Sequence, residues 1–156
     1  MDLFGRVCDY DELSRISADF DIPVLIDAAE SLGSKYKNSP TASQGLISIL
    51  SFNFNKIMTT TGGGALLTND ESIANMVRKK ANQARDNFHW YEHSEIGFNY
   101  RMSPILAALG ISQLARIETF VEKRRENHKI LYKDLHVFLH TFQLIFLIIL
   151  FLLVLY

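Results

Sequence analysis

A short apolar run, Val24-Leu25-Ile26, ends on a carboxylate, Asp27. A run this brief and mostly β-branched reads as a buried strand. Before it lies Asp9 to Phe20, where Leu13, Ile16 and Phe20 recur at helical spacing and acids fill the first turn, as the positive end of a helix dipole favours. Asp21-Ile22-Pro23 ends that helix. A second apolar run, Leu46 to Phe52, predicts another buried strand. Gly62-Gly63-Gly64 opens a third, Ala65 to Thr68, and Asn69-Asp70 caps a helix predicted from Glu71 to Ala84. Helices alternating with apolar strands make the fold class α/β. In such sheets ligands gather at the carboxyl ends of strands, so a strand that ends on Asp27 is the first pointer to function.

The rest of the chain reads as loop and helix. Arg85 to Arg101 is polar and aromatic, without regular periodicity. Ser103 and Pro104 start a further helix, with Ile105, Leu109, Ser112, Gln113 and Ile117 along one face. Charges at Glu122, Arg125, Glu126 and Lys129 predict a long helix after Glu118, solvated on one side. We find no internal repeat and no long linker.

At 156 residues the chain has room for one ordinary globular domain. Sixteen basic and 17 acidic residues leave a net charge of -1, so there is no basic excess to argue for nucleic acid. A single cysteine, Cys8, cannot form an internal disulfide. A reducing, cytoplasmic setting fits that usage. Met1 to Tyr10 holds Asp2 and Asp9 and no apolar core, so it does not read as a signal peptide.

The end of the chain differs in kind. From Val137 to Tyr156 it carries no charge, and basic residues from Lys123 to Lys133 precede it. A spanning helix needs about 20 mostly apolar residues, which this run just reaches. Three readings stand: a membrane tail anchor, a buried or sticky helix, and an end that has left the true reading frame. The abrupt change of composition near Leu135 favours the last.

Several side chains are candidates for chemistry. Asp27 at a strand end needs a partner, either a helix cap or a buried cation. Lys56 follows a strand and the turn Ser51-Phe52-Asn53-Phe54-Asn55. A lysine in a turn is ordinarily solvated, but this one lies between an apolar strand and the stretch Thr59 to Asp70. Its three glycines suit a flexible turn, a close backbone approach or amides presented to a phosphate. His89 and His93 flank Trp90-Tyr91-Glu92, but with no third ligand in view an aromatic lid or a subunit contact is the more ordinary reading than a metal site.

In combination these features resemble the DegT/DnrJ/EryC1/StrS sugar aminotransferases, which use pyridoxal phosphate on the aspartate-aminotransferase fold. The resemblance rests on Val24 to Gly33, Ser51 to Lys56, Gly62 to Asp70 and Gly97 to Ser103, in the family's order and spacing from about Asp2 to Leu135. The Asn-x-Asn-Lys turn and Tyr91-Glu92-His93 look closest to members acting on a UDP-linked 4-keto-6-deoxy sugar.

The resemblance implies a role for each matching position. Lys56 matches the lysine that bonds covalently to pyridoxal phosphate and then moves a proton between carbon atoms; it must spend time neutral to do so. Asp27 matches the acid facing the pyridine nitrogen. Ser51 matches a hydroxyl on the cofactor phosphate. Glu30 falls where the family often has glutamine, near the phenolic oxygen, and would have to be protonated to donate there. Asn99 matches a residue that reaches the cofactor phosphate of a neighbouring subunit, which implies a homodimer. Arg101 and the loop from Arg85 to His93 are placed to meet the nucleotide-sugar. The implied reaction carries an amino group from glutamate to the sugar ketone.

The implied fold is a partial large domain of a fold-type-I transferase over residues 1–135, followed by the apolar tail, 136–156. Against the family's pattern, an early helix with phosphate-binding residues and the aromatic side chain that stacks on the pyridine ring are missing. The expectation is therefore a chain that folds poorly, exposes sheet edges and has little transaminase activity. Two rival readings remain: an inactive fragment of such an enzyme, and a membrane-tethered interaction protein held by residues 137–156. A dehydratase using the same cofactor would carry histidine at the position of Lys56.

Overall fold

The computed structural model describes the backbone of residues 1–154, with side chains through residue 138 and at Phe142 and Gln143. The chain divides into two units, Met1–Ile117 and Glu118–Tyr156.

The first unit opens with helix α1, Tyr10–Phe20. Asp9 caps it by accepting from the Glu12 N–H at 3.2 Å. Asp21, in the left-handed region at φ 51°, ends it. Tyr10 is the residue of α1 that is fully buried. Leu13 packs partly against the core, while Ile16 and Phe20 stay exposed, so the predicted apolar face is covered only near its start.

Strand β1 is Leu25–Asp27, β4 is Ile47–Ser51 and β5 is Gly64–Leu67. They form one sheet in the order β1-β4-β5. β1 runs parallel to β4, with Asp27 opposite Ile49, and β5 runs antiparallel to β4, with Gly64 opposite Ser51. Side chains alternate along a strand. Asp27 therefore shares one sheet face with Ile49 and Ser51, and Ile26 shares the other with Ser48 and Leu50.

The second of these faces carries the core. Ile26, Tyr10 and Ala28 are buried together, with Val7, Cys8, Leu13, Val24, Tyr36, Ala42 and Leu50 packed around them. Tyr10 meets Tyr36 edge to face, with ring centroids 5.0 Å apart. The two predicted buried strands are half-covered instead. Leu25 is 64% exposed and Ile49 43% exposed on the face they share with Asp27. The buried side chain of β4 is a hydroxyl, Ser48, whose Oγ donates to the Gln44 carbonyl at 2.7 Å. An apolar run identifies a strand but does not tell whether both of its faces are covered.

Between β1 and β4 lies a small hairpin, β2 (Lys35–Tyr36) and β3 (Ser39–Pro40), which the sequence reading missed. Its two turn residues, Lys37 and Asn38, both have positive φ, as a two-residue hairpin turn requires. Lysine at the first of these places hides the signal that Asn-Gly would give.

Helix α2 spans Glu71–Ala81, and Asp70 caps it by accepting from Ser72 and Ile73 N–H groups. It ends three residues before the predicted Ala84, because Gln83 and Ala84 turn into the left-handed region. There the chain pairs with the segment 97–100 instead. The Gln83 N–H donates to the Phe98 carbonyl at 2.9 Å, and the Phe98 and Tyr100 N–H groups donate to the Lys80 and Ala81 carbonyls. Gly97 permits this, since a Cβ there would lie 2.2 Å from the Ala84 nitrogen.

Helix α3 is Pro104–Leu114, with Pro104 in its first turn and Ser103 as the predicted cap, accepting from the Leu106 N–H. Ile105, at the start of the face that Leu109, Ser112 and Gln113 continue, is 81% exposed; Gly110 is the buried residue of the helix. Helix α4 runs Ile117–Val154. From Glu122 to Phe138 it is exposed on every side rather than on one. The expectations for the tail, residues 136–156, fall for the most part outside the described side chains. Among the described residues no single helix is long and apolar enough to cross a membrane.

Candidate active site

Parallel pairing brings the carboxyl ends of β1 and β4 to one edge of the sheet. Four of the five candidate residues lie here, Asp27 and Ser51 at the strand ends and Glu30 and Lys56 on the loops that follow. Asp27 ends β1, half-buried, and its Oδ1 accepts from the Ala29 N–H at 3.1 Å. That bond turns the chain sharply. The turn is fixed further by Ala28 N–H donating to the Ile49 carbonyl and Ser31 N–H donating to the Ala28 carbonyl.

Glu30 projects from this turn. Its Oε2 accepts from the Phe4 N–H at 3.1 Å, and its Oε1 lies 3.4 Å from Lys56 Nζ. The Phe4 N–H first, and the Lys56 ammonium with it, hold the Glu30 carboxyl below its ordinary value against the effect of burial. Glu30 is thus an acceptor here. The two side chains are 26% and 18% exposed, so the pair is partly shielded from solvent.

Ser51 ends β4 on the same sheet face as Asp27, and its Oγ accepts from the Asn53 N–H at 3.4 Å. Among the described residues its hydroxyl proton has no acceptor, and Asp27 Oδ2 has no partner. Asn53 begins the turn that carries Lys56: its carbonyl accepts from the Lys56 N–H at 3.1 Å, and its Oδ1 from the Phe54 N–H at 2.9 Å. The base of the loop is closed by the Phe52 N–H donating to the Gly63 carbonyl and the Thr60 N–H donating to the Phe52 carbonyl.

The three glycines have separate reasons. Gly63 has φ +89°, and a Cβ on it would lie 2.8 Å from Met102 Cε. A Cβ on Gly64 would lie 2.4 Å from the Leu50 carbonyl oxygen, so this glycine lets two backbones meet. Gly62 has open space around it. Turn and close backbone approach, two of the readings open from the sequence, account for Gly63 and Gly64.

Asn99 belongs to neither of these strand ends and loops. It is exposed and faces Asn82 in an isolated backbone bridge at the end of α2. Its loop is tied down by ions: Lys79 Nζ lies 2.7 Å from Asp86 and 3.0 Å from Glu95, and Lys80 also pairs with Glu95. Phe88 stacks on Trp90 with centroids 5.1 Å apart, and the Arg85 guanidinium sits 4.0 Å over the Tyr91 ring. His93 Nδ1 bonds the Gln83 carbonyl oxygen. Among the described residues no group of three His, Cys, Asp or Glu could hold a metal ion.

Sequence reasoning missed one buried feature beside the site. Asp2 is fully buried; its Oδ2 accepts from the Tyr10 hydroxyl and from Ser31 Oγ, and its Oδ1 from the Cys8 N–H. Ser31 Oγ is also 3.1 Å from Thr41 Oγ1. Asp2 thereby fixes the turn that presents Glu30. An acid two residues from the start of a sequence gives no pattern that predicts this.

The sequence pattern of the DegT/DnrJ/EryC1/StrS aminotransferase family matches residues 1–144. The chain belongs to this family. It is 47% identical over 125 residues to EpsN of Bacillus subtilis, a protein named provisionally as a pyridoxal phosphate-dependent aminotransferase. That match covers 80% of this chain and 32% of EpsN. GDP-perosamine synthase of Caulobacter vibrioides is 37% identical, over 78% of this chain and 33% of its own length. The solved structure of Helicobacter pylori PseC, an aminotransferase of pseudaminic acid biosynthesis, superposes with a TM-score of 0.75 at 30% identity, covering 78% of this chain and 33% of PseC. This family member thus spans about a third of the length of these relatives. Its fold is part of the α/β domain of fold-type-I transferases.

Proposed function

We propose that the chain is the lysine-bearing segment of a pyridoxal phosphate-dependent enzyme that moves an amino group from glutamate to a keto-sugar carried on a nucleotide, of the UDP-4-keto-6-deoxy type. The observation that carries the reading is the Lys56–Glu30 pair at the carboxyl edge of β1 and β4, beside Asp27 and Ser51 on one sheet face. Relatives named as a GDP-perosamine synthase and as a UDP-4-amino-4,6-dideoxy-N-acetyl-β-L-altrosamine transaminase support the substrate class. In this reading residues 1–135 form the partial large domain and 136–156 the apolar tail.

The donor set fits the cofactor chemically. Lys56 supplies the amine, Asp27 an anion with a free oxygen, and Ser51 a hydroxyl proton without an acceptor among the described residues. When bound, pyridoxal phosphate supplies a ring that takes up negative charge from the carbon beside the amine. Asp27 would face the ring nitrogen and keep a proton on it, and Ser51 Oγ would donate to the phosphate. Lys56 Nζ, once neutral, would be the base that takes the proton from that carbon. Glu30 is the counter-ion of Lys56 while that amine is charged, with its Oε1 3.4 Å from Nζ. Asn99, exposed on its loop, serves a second subunit in a homodimer.

Mixing the purified chain with pyridoxal phosphate tests this reading. We expect a visible absorbance band that Lys56→Arg abolishes, with little turnover of glutamate by this partial domain. A band of equal strength in Lys56→Arg would overturn it.

A further inference from the structure

We propose that Gln113 is the positioning residue for Lys56, clamping the turn that carries the amine to helix α3. The loop between β4 and β5 runs from Phe52 to Gly63, long enough to move unless it is held. Its base is closed at Phe52, but the backbone of Thr59 has no strand beside it. Gln113 supplies what a strand would. Its Oε1 accepts from the Thr59 N–H at 3.0 Å, and its Nε2 donates to the Thr59 carbonyl at 2.6 Å. The two bonds fix the orientation of the carboxamide, since the flipped amide would set donor against donor.

The rest of the contact is shaped for this clamp. Gly110, one helical turn before Gln113, is buried, and a Cβ there would lie 3.0 Å from Thr60 Cγ2 and 3.7 Å from Met58 Cε. The helix backbone therefore comes close enough for a glutamine to reach Thr59. Thr59 Oγ1 in turn donates to the Phe52 carbonyl at 3.1 Å and accepts from the Thr61 N–H at 2.8 Å. Lys56 sits three residues before this fixed point. Leucine at position 113 would fill the same space without either bond, and an ionised glutamate would keep the acceptor and lose the donor. The importance of the clamp for catalysis rests on the reading of Lys56 given above.

The test uses the full chain with wild type, Gln113→Leu and Gln113→Glu. Two readouts are followed across a pH series: hydrogen exchange at the Thr59 amide, with Ile49 and Leu50 amides as fold controls, and acylation of Lys56 relative to the exposed Lys123. Gln113→Leu is expected to speed Thr59 exchange about tenfold, the worth of one lost hydrogen bond to an otherwise unpaired amide, with the controls unchanged. Lys56 labelling should rise about twofold as it leaves Glu30. Gln113→Glu should lose the clamp at neutral pH and recover it when acid restores a donor to the side chain. Should Gln113→Leu fail to fold, that reversal in Gln113→Glu decides alone, and its absence overturns the proposal. Free exchange of Thr59 in the wild type, or a Lys56 ratio that stays fixed when Thr59 loses protection, also overturns it. Neither readout uses pyridoxal phosphate, so a chain that shows these shifts yet binds no aldehyde would contradict the proposed function and leave the clamp standing.

Discussion

Lys56 Nζ lies 3.4 Å from Glu30 Oε1, joining two loops that leave neighbouring parallel strands at the same sheet edge. The pair sits 26 positions apart in sequence and is partly shielded on both sides. It puts the only carboxylate bonded to Lys56, among the described residues, on the turn that follows Asp27.

Glu30→Gln keeps an oxygen for the Phe4 N–H but removes the charge facing Lys56. Lys56 should then be acylated about twofold faster than in the wild type at the same pH, a modest change because exposed or half-exposed pairs contribute little. The sign with pH follows from Glu30's lowered value. Its contribution is present above the ordinary glutamate range and disappears as pH falls through the lower folded-state value, so wild type and variant should converge in acid.

Asp2→Ala leaves the Tyr10 and Ser31 hydroxyls and the Cys8 N–H without their acceptor in a closed site. We expect a loss of about 2–3 kcal/mol in urea unfolding. Burial pushes the Asp2 carboxyl up, but donors from Tyr10, Ser31 and Cys8 prevail and hold it below its ordinary value. Its stabilisation is therefore present above the unfolded aspartate value and lost as pH falls through the folded one. Tyr10 works at the other limit. Burial, and then Asp2, push its hydroxyl well above the usual tyrosine value, so stability is full below the unfolded tyrosine value, about 10, and declines as pH rises beyond it. Unfolding midpoints across a pH series check both limbs.

The glycine triplet separates by position. Gly63→Ala should destabilise by about 1 kcal/mol or more, because φ is +89° and Met102 already fills the space. Gly62→Ala should be within about 0.5 kcal/mol of the wild type, with nothing within 4 Å of its added carbon. Thermal melts of the two variants side by side measure the difference.

Lys79→Met removes the first of the partners, ahead of Ser94, that hold Asp86 below the usual carboxylate range, and one of the two that so hold Glu95. The loop from Arg85 to Arg101 should then be cut faster in limited proteolysis, while the sheet residues remain protected. High salt should produce part of the same effect in the wild type, since these pairs reach solvent.

How far the sequence foretold this site depended on the kind of interaction. Local signals were legible: Asp70 and Ser103 each accept at the helix start where a cap is expected, while Asp9, read as an acid of the first turn, is itself the cap of α1. Asp27 at a strand end and Lys56 beyond the next parallel strand could be read because motif order carries topology. Long-range pairing was not legible. Asp2 with Ser31 and Gln113 with Thr59 join residues 29 and 54 positions apart, with no spacing rule to connect them. Burial was misjudged for Leu25 and Ile49, because an apolar side chain does not reveal what packs against it. The early end of α2 depended on Gly97, whose missing side chain admits Ala84 from another segment.

The most direct measurement of the central claim is peptide mapping after the chain is incubated with pyridoxal phosphate and reduced with borohydride, in wild type and in Asp27→Ala. The account predicts that the added mass falls on Lys56 in preference to every other lysine, and that Asp27→Ala weakens this preference. Mass spread evenly over the exposed lysines, or a Lys56 preference indifferent to Asp27, would contradict it.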